Sequence, residues 1–304
     1  QGGTYTCDPM AKTREIKKRI KAVGNIRRIT KTMQMIATSK FARAQQRALA
    51  TKPYTEGVFA LVTELAATAG NISHPLINGP EGARKTTPKD LTLIITSDRG
   101  LCGPYNGSVL RTTMQYLRSN PGAASGEIEL IGKKGASFLR FNNVPTSQTH
   151  SIGDKPTYED VERIAATYIA RFIAGEIASV RVVYMRYISA GKQSPEVLQL
   201  LPLKPPAKAD TGEKAGGVTA QYEFSPEAGK LLDDLLPATV KATLYQAVND
   251  AVVSEQVARM VAMKSATDNA GKMRKSLTRD FNRARQAQIT TELTEIVSGA
   301  AALG

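Results

Sequence analysis

The sequence predicts an α/β chain in which long N- and C-terminal helices form an antiparallel coiled coil and the middle forms an α/β domain. Three observations predict it. Two proline-free stretches of helical composition occupy the ends, 13–51 and 238–297, and each holds a single glycine. Apolar residues in both recur at intervals of three and four. Between them, short apolar runs alternate with helical stretches, the pattern of a small, mostly parallel sheet covered on both faces.

The first helix is expected to stop before Pro53, which has no N–H to donate. Ile16, Ile20, Val23, Ile26, Met33, Ala37, Phe41, Ala44 and Ala48 fall on one face about 140° wide. Arg14, Lys17, Lys21, Arg28 and Arg43 lie opposite, while Arg19 and Arg27 intrude on the apolar face and must carry their charges outward along their methylene stems.

In the last helix, expected after Pro237, the residues Ala266, Ala270, Met273, Leu277, Phe281 and Ala284 step by 4, 3, 4, 4 and 3. Such spacing makes a coiled-coil seam. Lys264, Lys272, Lys275, Arg279 and Arg283 occupy the far side. The seam's alanines admit a close partner, and the first helix offers Ala37, Ala44 and Ala48. A sixty-residue helix is about 90 Å long, whereas a domain of roughly 180 residues has a radius of gyration of about 16 Å. The terminal helices are therefore expected to project and to cover each other's seams, giving a rod with an α/β knob. The corresponding division is 12–52 for the N-terminal stalk helix, 53–222 for the α/β domain and 223–304 for the C-terminal stalk helix.

In the middle, "LTLIIT" from Leu91 reads as a buried strand, followed by a helix near 105–118, the strand "IELIG" from Ile128 and a short helix near 136–141. "TYEDVERIAATYIARFIAGE" from Thr157 reads as a helix, and "SVRVVYMRYI" and "EVLQLL" as two further strands. The alternation describes a Rossmann-like domain. "KPPAKADTGEKAGG", 204–217, reads as an exposed loop.

Composition narrows the function. The net charge is +14, and residues 12–52 carry thirteen Lys or Arg against the single acid Glu15, a local balance of +12. A block of this kind suits nucleic acid, a membrane surface or an acidic protein partner. Stacking on nucleic-acid bases needs exposed aromatics, and the only aromatic in 12–52 is Phe41, on the apolar face. A binder that touches only phosphates stays open. No apolar run reaches the roughly 18 residues of a bilayer span. Two cysteines, Cys7 and Cys102, are too few for a disulfide framework or a zinc site, which fits a reducing compartment. The start at "QGGTYTCDPM", without an initiator Met, suggests a removed targeting segment.

"SDRGLCGPYNG", 97–107, joins strand to helix through glycines, as phosphate-binding turns do. Gly100, Gly103 and Gly107 do not form G-x-G-x-x-G, and no Lys-Ser or Lys-Thr follows. A tight structural turn is the favoured reading. Cys102 as a nucleophile would need a basic neighbour, and the two histidines, His74 and His150, sit in loop-like stretches. Asp233, Asp234, Glu159, Asp160 and Glu162 read as solvated helix charges. The residues thus give no catalytic centre, metal cluster or cofactor motif.

"REIKKRIKAVGNIRRITKTMQMIATSKFARAQ", "SDRGLCG" and "SEQVARMVAMKSATDNAGKM", with "NRARQAQITTELTEIVSGAAAL", resemble, in the same order, the gamma subunit of F-type ATP synthase. The resemblance implies a non-catalytic central-stalk rotor shaft that couples proton-driven c-ring rotation to conformational changes in an alpha3beta3 ring. Implied partners are the alpha and beta subunits, delta-type and epsilon-type stalk subunits and the c-ring, with no direct nucleic acid and membrane association only through the complex. By the same resemblance, Met33, Met35, Ile36 and Lys40 are N-helix contacts to the ring, and Arg285, Gln286 and Thr290 belong to a catch against the beta subunits. Ser97, Asp98, Arg99, Gly100, Cys102 and Gly103 form a structural signature turn. The stretch 204–222 lacks the regulatory cysteine pair of chloroplast members. The expected location is the matrix side of the mitochondrial inner membrane, with the cytoplasmic side of a bacterial plasma membrane as the alternative.

Overall fold

The structure, a computed structural model, describes residues 9–68, 74–79, 89–203 and 228–303. The expected loop at 204–217 and Cys7 lie outside the described residues. The chain divides into two compact units, one made of Gln1–Thr38 with Arg259–Gly304 and the other of Ser39–Ala258. Two long helices, α1 (Pro9–Thr68) and α7 (Ala228–Leu303), contribute to both.

Both helices run through the prolines expected to bound them: Pro53 lies inside α1 and Pro237 inside α7. The lost hydrogen bond is outweighed by side chains beyond each proline. After Pro53, Val58, Val62 and Leu65 are buried. Before Pro237, Leu232 and Leu236 are 2% and 1% exposed. Packing of a continuous apolar face overrides the local proline cost.

In the first unit, the two helix segments run antiparallel. Thr13 Oγ1 donates to Gln288 Oε1 at 3.2 Å and Thr267 Oγ1 to Thr30 Oγ1 at 2.8 Å. Val23, Ala37, Met263 and Ala270 are buried in the seam. Two expectations need correction. Ile26 is 51% exposed and Met273 58% exposed, while the threonines Thr30 and Thr267 take seam positions. The cause is period. A seam repeating every 3.5 residues drifts about 20° per heptad from a straight 3.6-residue helix, so a fixed face drawn over several heptads picks up wrong neighbours. Arg27 does cross the seam, and its Nε lies 3.6 Å from where a side chain on Gly271 would begin.

The second unit is a five-stranded sheet with two helical layers. Its strands are β1 (Lys89–Ile95), β2 (Glu127–Ile131), β3 (Gln148–His150), β4 (Ile177–Ser189) and β5 (Lys192–Leu201), in the order β3-β2-β1-β4-β5. All neighbouring pairs are parallel except β4 with β5. Side-chain alternation divides the core between the faces. Leu91, Leu93 and Ile95, with Val180, Val182 and Tyr184, face α6 (Tyr158–Ile173), the end of α1 and the start of α7. Ile94, Ile128, Leu130, Val183 and Met185 face α3 (Tyr105–Ser119) and α5 (Lys133–Phe141). Two short helices, α2 (Pro75–Asn78) and α4 (Pro121–Ala124), complete the described elements. The same unit holds a small packed group, Ala44, Ala48 and Val253, with Phe41 and Tyr187 against it.

Helix α6 begins where its sequence says. Thr157 caps it by accepting from the Asp160 amide at 3.2 Å, and Glu159 and Asp160 occupy the first turn. Glu162, expected to be merely solvated, receives Lys241 Nζ at 2.8 Å and so ties α6 to α7.

Asp250 on α7 lines a cavity of about 370 Å³ with Lys52, Tyr184 and Arg186. Burial pushes its carboxyl up to about 6, despite a 2.9 Å hydrogen bond from Gln246 Nε2 and the nearby Arg186 and Lys52 charges. The folded chain therefore holds this proton where the unfolded chain releases it. Stability from this group is complete below the unfolded value and is lost as pH rises through about 6. Asp250→Asn should lift stability relative to the parent by about 2–3 kcal/mol between pH 4 and 8, read as a pH-dependent gap between urea midpoints. A gap constant with pH would refute it.

Candidate partner-contact surfaces

The turn after β1 is built from its own polar groups. The Ser97 amide donates to Asn106 Oδ1 at 3.0 Å, and Ser97 Oγ donates to the Arg99 carbonyl at 2.7 Å. Asn106 Nδ2 lies 2.8 Å from Ser97 Oγ and 3.3 Å from Cys102 Sγ. Leu101 and Gly103 adopt positive φ, 64° and 55°, which folds the chain back into α3. Cys102 is buried, and its polar neighbours are a hydroxyl, an amide and a carbonyl, none of them a base.

The same turn also occupies the N-terminus of α5, the helix that follows β2. The first amides of α5 already have acceptors: Lys133 N–H donates to Asp98 Oδ1 at 3.1 Å, Lys134 N–H to the Ser97 carbonyl at 3.0 Å and Gly135 N–H to Thr96 Oγ1 at 3.1 Å. A helix N-terminus attracts anions through its orphan donors, and here those donors are satisfied from within. The opening comes from Gly132, at φ 93°, which passes so close that a Cβ would sit 2.1 Å from the Thr96 carbonyl oxygen.

Beneath α6 lies a buried ionic group. Glu129 is 3% exposed, and its Oε2 accepts from Tyr168 O–H and from His150 Nε2, both at 2.6 Å. Arg171 lies 3.7 Å from Oε1 and binds Glu127 at 2.8 Å. Burial alone would raise the Glu129 carboxyl, but the bonds from His150 and Tyr168 and the Arg171 charge hold it below its usual value. The Tyr168 hydroxyl is driven strongly upward by burial and by that carboxylate. His150, expected in a loop, is in strand β3. Three polar residues, Gln-Thr-His, carry no hydrophobic alternation by which to recognise a strand.

The residues nominated as ring contacts fall in different settings. In the first unit, Met33 is half-buried, whereas Met35 and Ile36 are 63% and 52% exposed. Arg285, Gln286 and Thr290 are exposed on α7, with Thr290 Oγ1 donating to the Gln286 carbonyl at 3.0 Å. Around them, Ile29 on α1 and Ile289, Leu293, Ile296 and Val297 on α7 are also exposed. Sequence reasoning passed over Ile29, Ile289 and Leu293, whereas Ile296 and Val297 open the uncharged tail "IVSGAAALG" that the family resemblance places in an apolar sleeve of the ring. Their signal is an apolar residue placed off the seam, the mark of a surface for another chain. Lys40, in the second unit, is engaged within the chain: its Nζ lies 2.6 Å from Asp154 Oδ2.

Paired terminal helices with outward-facing apolar residues, joined to an α/β unit, define a stalk-type subunit of a larger assembly. The same fold occurs in solved ATP synthases. A chain of the Euglena gracilis mitochondrial OSCP/F1/c-ring structure matches with TM-score 0.62 at 18% identity, covering 96% of this chain and 94% of that one. A chain of the Tetrahymena thermophila mitochondrial central stalk and c-ring structure matches with TM-score 0.57 at 21% identity, over 78% and 99% of the two chains. The family described as ATP synthase matches residues 12–303. The ATP synthase gamma chain of Rhodopirellula baltica is 41% identical over 298 residues, 97% of this chain and 99% of that one. The gamma chain of Haemophilus influenzae strain PittEE is 38% identical over 296 residues, covering 97% and 100%. The chain belongs to the ATP synthase gamma chain family.

Proposed function

We propose that this chain is the non-catalytic rotor shaft of its ATP synthase, turning inside an alpha3beta3 ring and coupling c-ring rotation to ATP synthesis or its reverse. The observation that carries the reading is end-to-end similarity to gamma chains, with 97% of this chain matched. A shaft needs a stiff body and an outer surface that differs around its circumference, so that each angle presses differently on three equivalent catalytic sites. The paired helices supply the body, and Met35, Ile36, Ile289 and Leu293 supply exposed apolar contacts among cations. Diffuse attraction between exposed charges allows rotation where fixed ion pairs would resist it.

In this reading Met33, Met35 and Ile36 touch the ring, and Arg285, Gln286 and Thr290 form the catch. Lys40 can join them only with Asp154 attached or displaced. The turn of Ser97, Asp98, Arg99, Gly100, Cys102 and Gly103 is structural, Cys102→Ala leaving function intact. The stalk helices are assigned to 12–52 and 223–304 and the domain that meets delta-type and epsilon-type subunits and the c-ring to 53–222.

Among the described residues no helix is long and apolar enough to cross a membrane; in the rotor reading, attachment is through the complex. For its location we favour the cytoplasmic face of a bacterial plasma membrane over the mitochondrial inner membrane. Curated gamma chains at 37–41% identity come from bacteria, whereas the mitochondrial structures share 18–21%.

Affinity purification of the tagged full chain, followed by mass spectrometry and an ATPase assay, tests the function. Alpha and beta subunits with azide-sensitive ATPase should accompany it. Recovery of the chain alone, or with nucleic acid that high salt removes, would overturn it. Arg285→Ala with Gln286→Ala should lower ATP synthesis at least tenfold per assembled complex, since both side chains are exposed and their loss leaves the packed seam untouched. Unchanged synthesis would remove the catch from the mechanism.

A further inference from the structure

The second unit carries a surface for which the rotor reading names no particular contact. Helices α3 and α5 flank a groove of about 850 Å³ lined by Gly107, Arg111, Met114, Arg118 and Phe138 among others. Phe138 is 37% exposed, and Phe141, three residues on and so on the same helix face, is 86% exposed. A side chain on Gly107 would meet nothing within 4 Å, which leaves one wall open.

The charge is one-sided. Residues 105–119 and 133–141 contain Arg111, Arg118, Lys133, Lys134 and Arg140 and no Asp or Glu. Among the described residues none of these side chains has a recorded carboxylate partner. Elsewhere in the same unit basic side chains do find acids, as Arg171, Arg186 and Lys241 show. An exposed Phe138 beside a half-buried Met114 and two arginines is the composition of interface centres, and cations select a negative partner.

We propose that the α3–α5 groove docks an acidic amphipathic helix of another subunit of the synthase, its apolar face on Met114 and Phe138 and extending to Phe141 one turn along α5, its carboxylates on Arg111 and Arg118. The proposal rests on the rotor reading, which supplies the complex. A concave groove between two helices suits the ridge of a third, the i, i+3, i+4, i+7 anchors of helix-in-groove recognition.

The test places the photo-cross-linking residue p-benzoylphenylalanine at Gln115, on the groove wall, in the full chain within the purified complex. Illumination and mass spectrometry should identify one subunit peptide of net negative charge and helical apolar spacing. Arg111→Glu with Arg118→Glu, or 0.5 M salt during illumination, should cut the cross-link at least tenfold. Phe141→Ser changes a side chain that is 86% exposed, so folding should survive it, and it should cut the cross-link at least fivefold. Cross-linking to lipid, to a neutral or basic peptide, or to nothing in a complex that retains alpha and beta would overturn the docking face alone. Absence of alpha and beta would overturn the rotor reading and the docking face with it.

Discussion

Deletion of residues 271–304 is expected to turn the chain into an aggregating species at micromolar concentration while leaving the sheet of the second unit formed. The cut removes the α7 residues that face the start of α1, Gln288 opposite Thr13 among them. Ile16, Ile20 and Val23 would then face water without a partner, each forfeiting about 1–2 kcal/mol of burial. A polar, highly cationic helix carrying such a stripe pairs with copies of itself. The sheet has its own core, since Leu91, Leu93, Val180, Val182 and Phe172 on one face and Ile94, Ile128, Leu130 and Val183 on the other all lie within 39–258. Size-exclusion chromatography with circular dichroism reads both effects. A soluble monomer that loses no more helical signal than the deleted residues carried would refute the prediction.

Gly132→Ala should be the most damaging single substitution in the second unit. The added carbon would meet the Thr96 carbonyl oxygen at 2.1 Å, and φ is 93°, where L side chains are strained. Backbone against backbone leaves nothing to rotate away. Either β1 or β2 must move, and with it Thr96, whose hydroxyl bridges Ile131, Gly132 and Gly135. A loss of about 3–5 kcal/mol is expected, the range of severe core and backbone changes. Gly24→Ala is the contrasting control: a Cβ there meets nothing within 4 Å, and alanine in a helix interior gains about 0.5–1 kcal/mol over glycine. Urea titration of the two variants should move the midpoint in opposite directions. Equal, small shifts would refute the close approach.

Much of this architecture was legible in the sequence because its signals are long. The strand runs at Leu91, Ile128 and Val180 and the terminal helices stand out by composition and period. What escaped depends on contacts distant in sequence. Pro53 and Pro237 look like boundaries until Val58, Val62, Leu232 and Leu236 are seen to be buried. Glu129 reads as one acid in an apolar strand, and only β3 and α6 bring His150 and Tyr168 to it. Ile26 and Met273 were assigned to a seam from which the helical period carries them away. The exposed apolar residues of α7 were visible as letters, yet their exposure follows from which face the partner helix covers.

The seam itself has a mechanical consequence. Contacts that recur every 3.5 residues wind two helices about each other in the left-handed sense. Thr13 with Gln288 and Thr30 with Thr267 pin the winding at two levels. Torque that adds left-handed turns presses the alanine-lined contact together, whereas the opposite torque peels it apart. The pair is therefore expected to resist the two senses of torque unequally, so that elastic energy stored in one direction of drive would not be mirrored in the other.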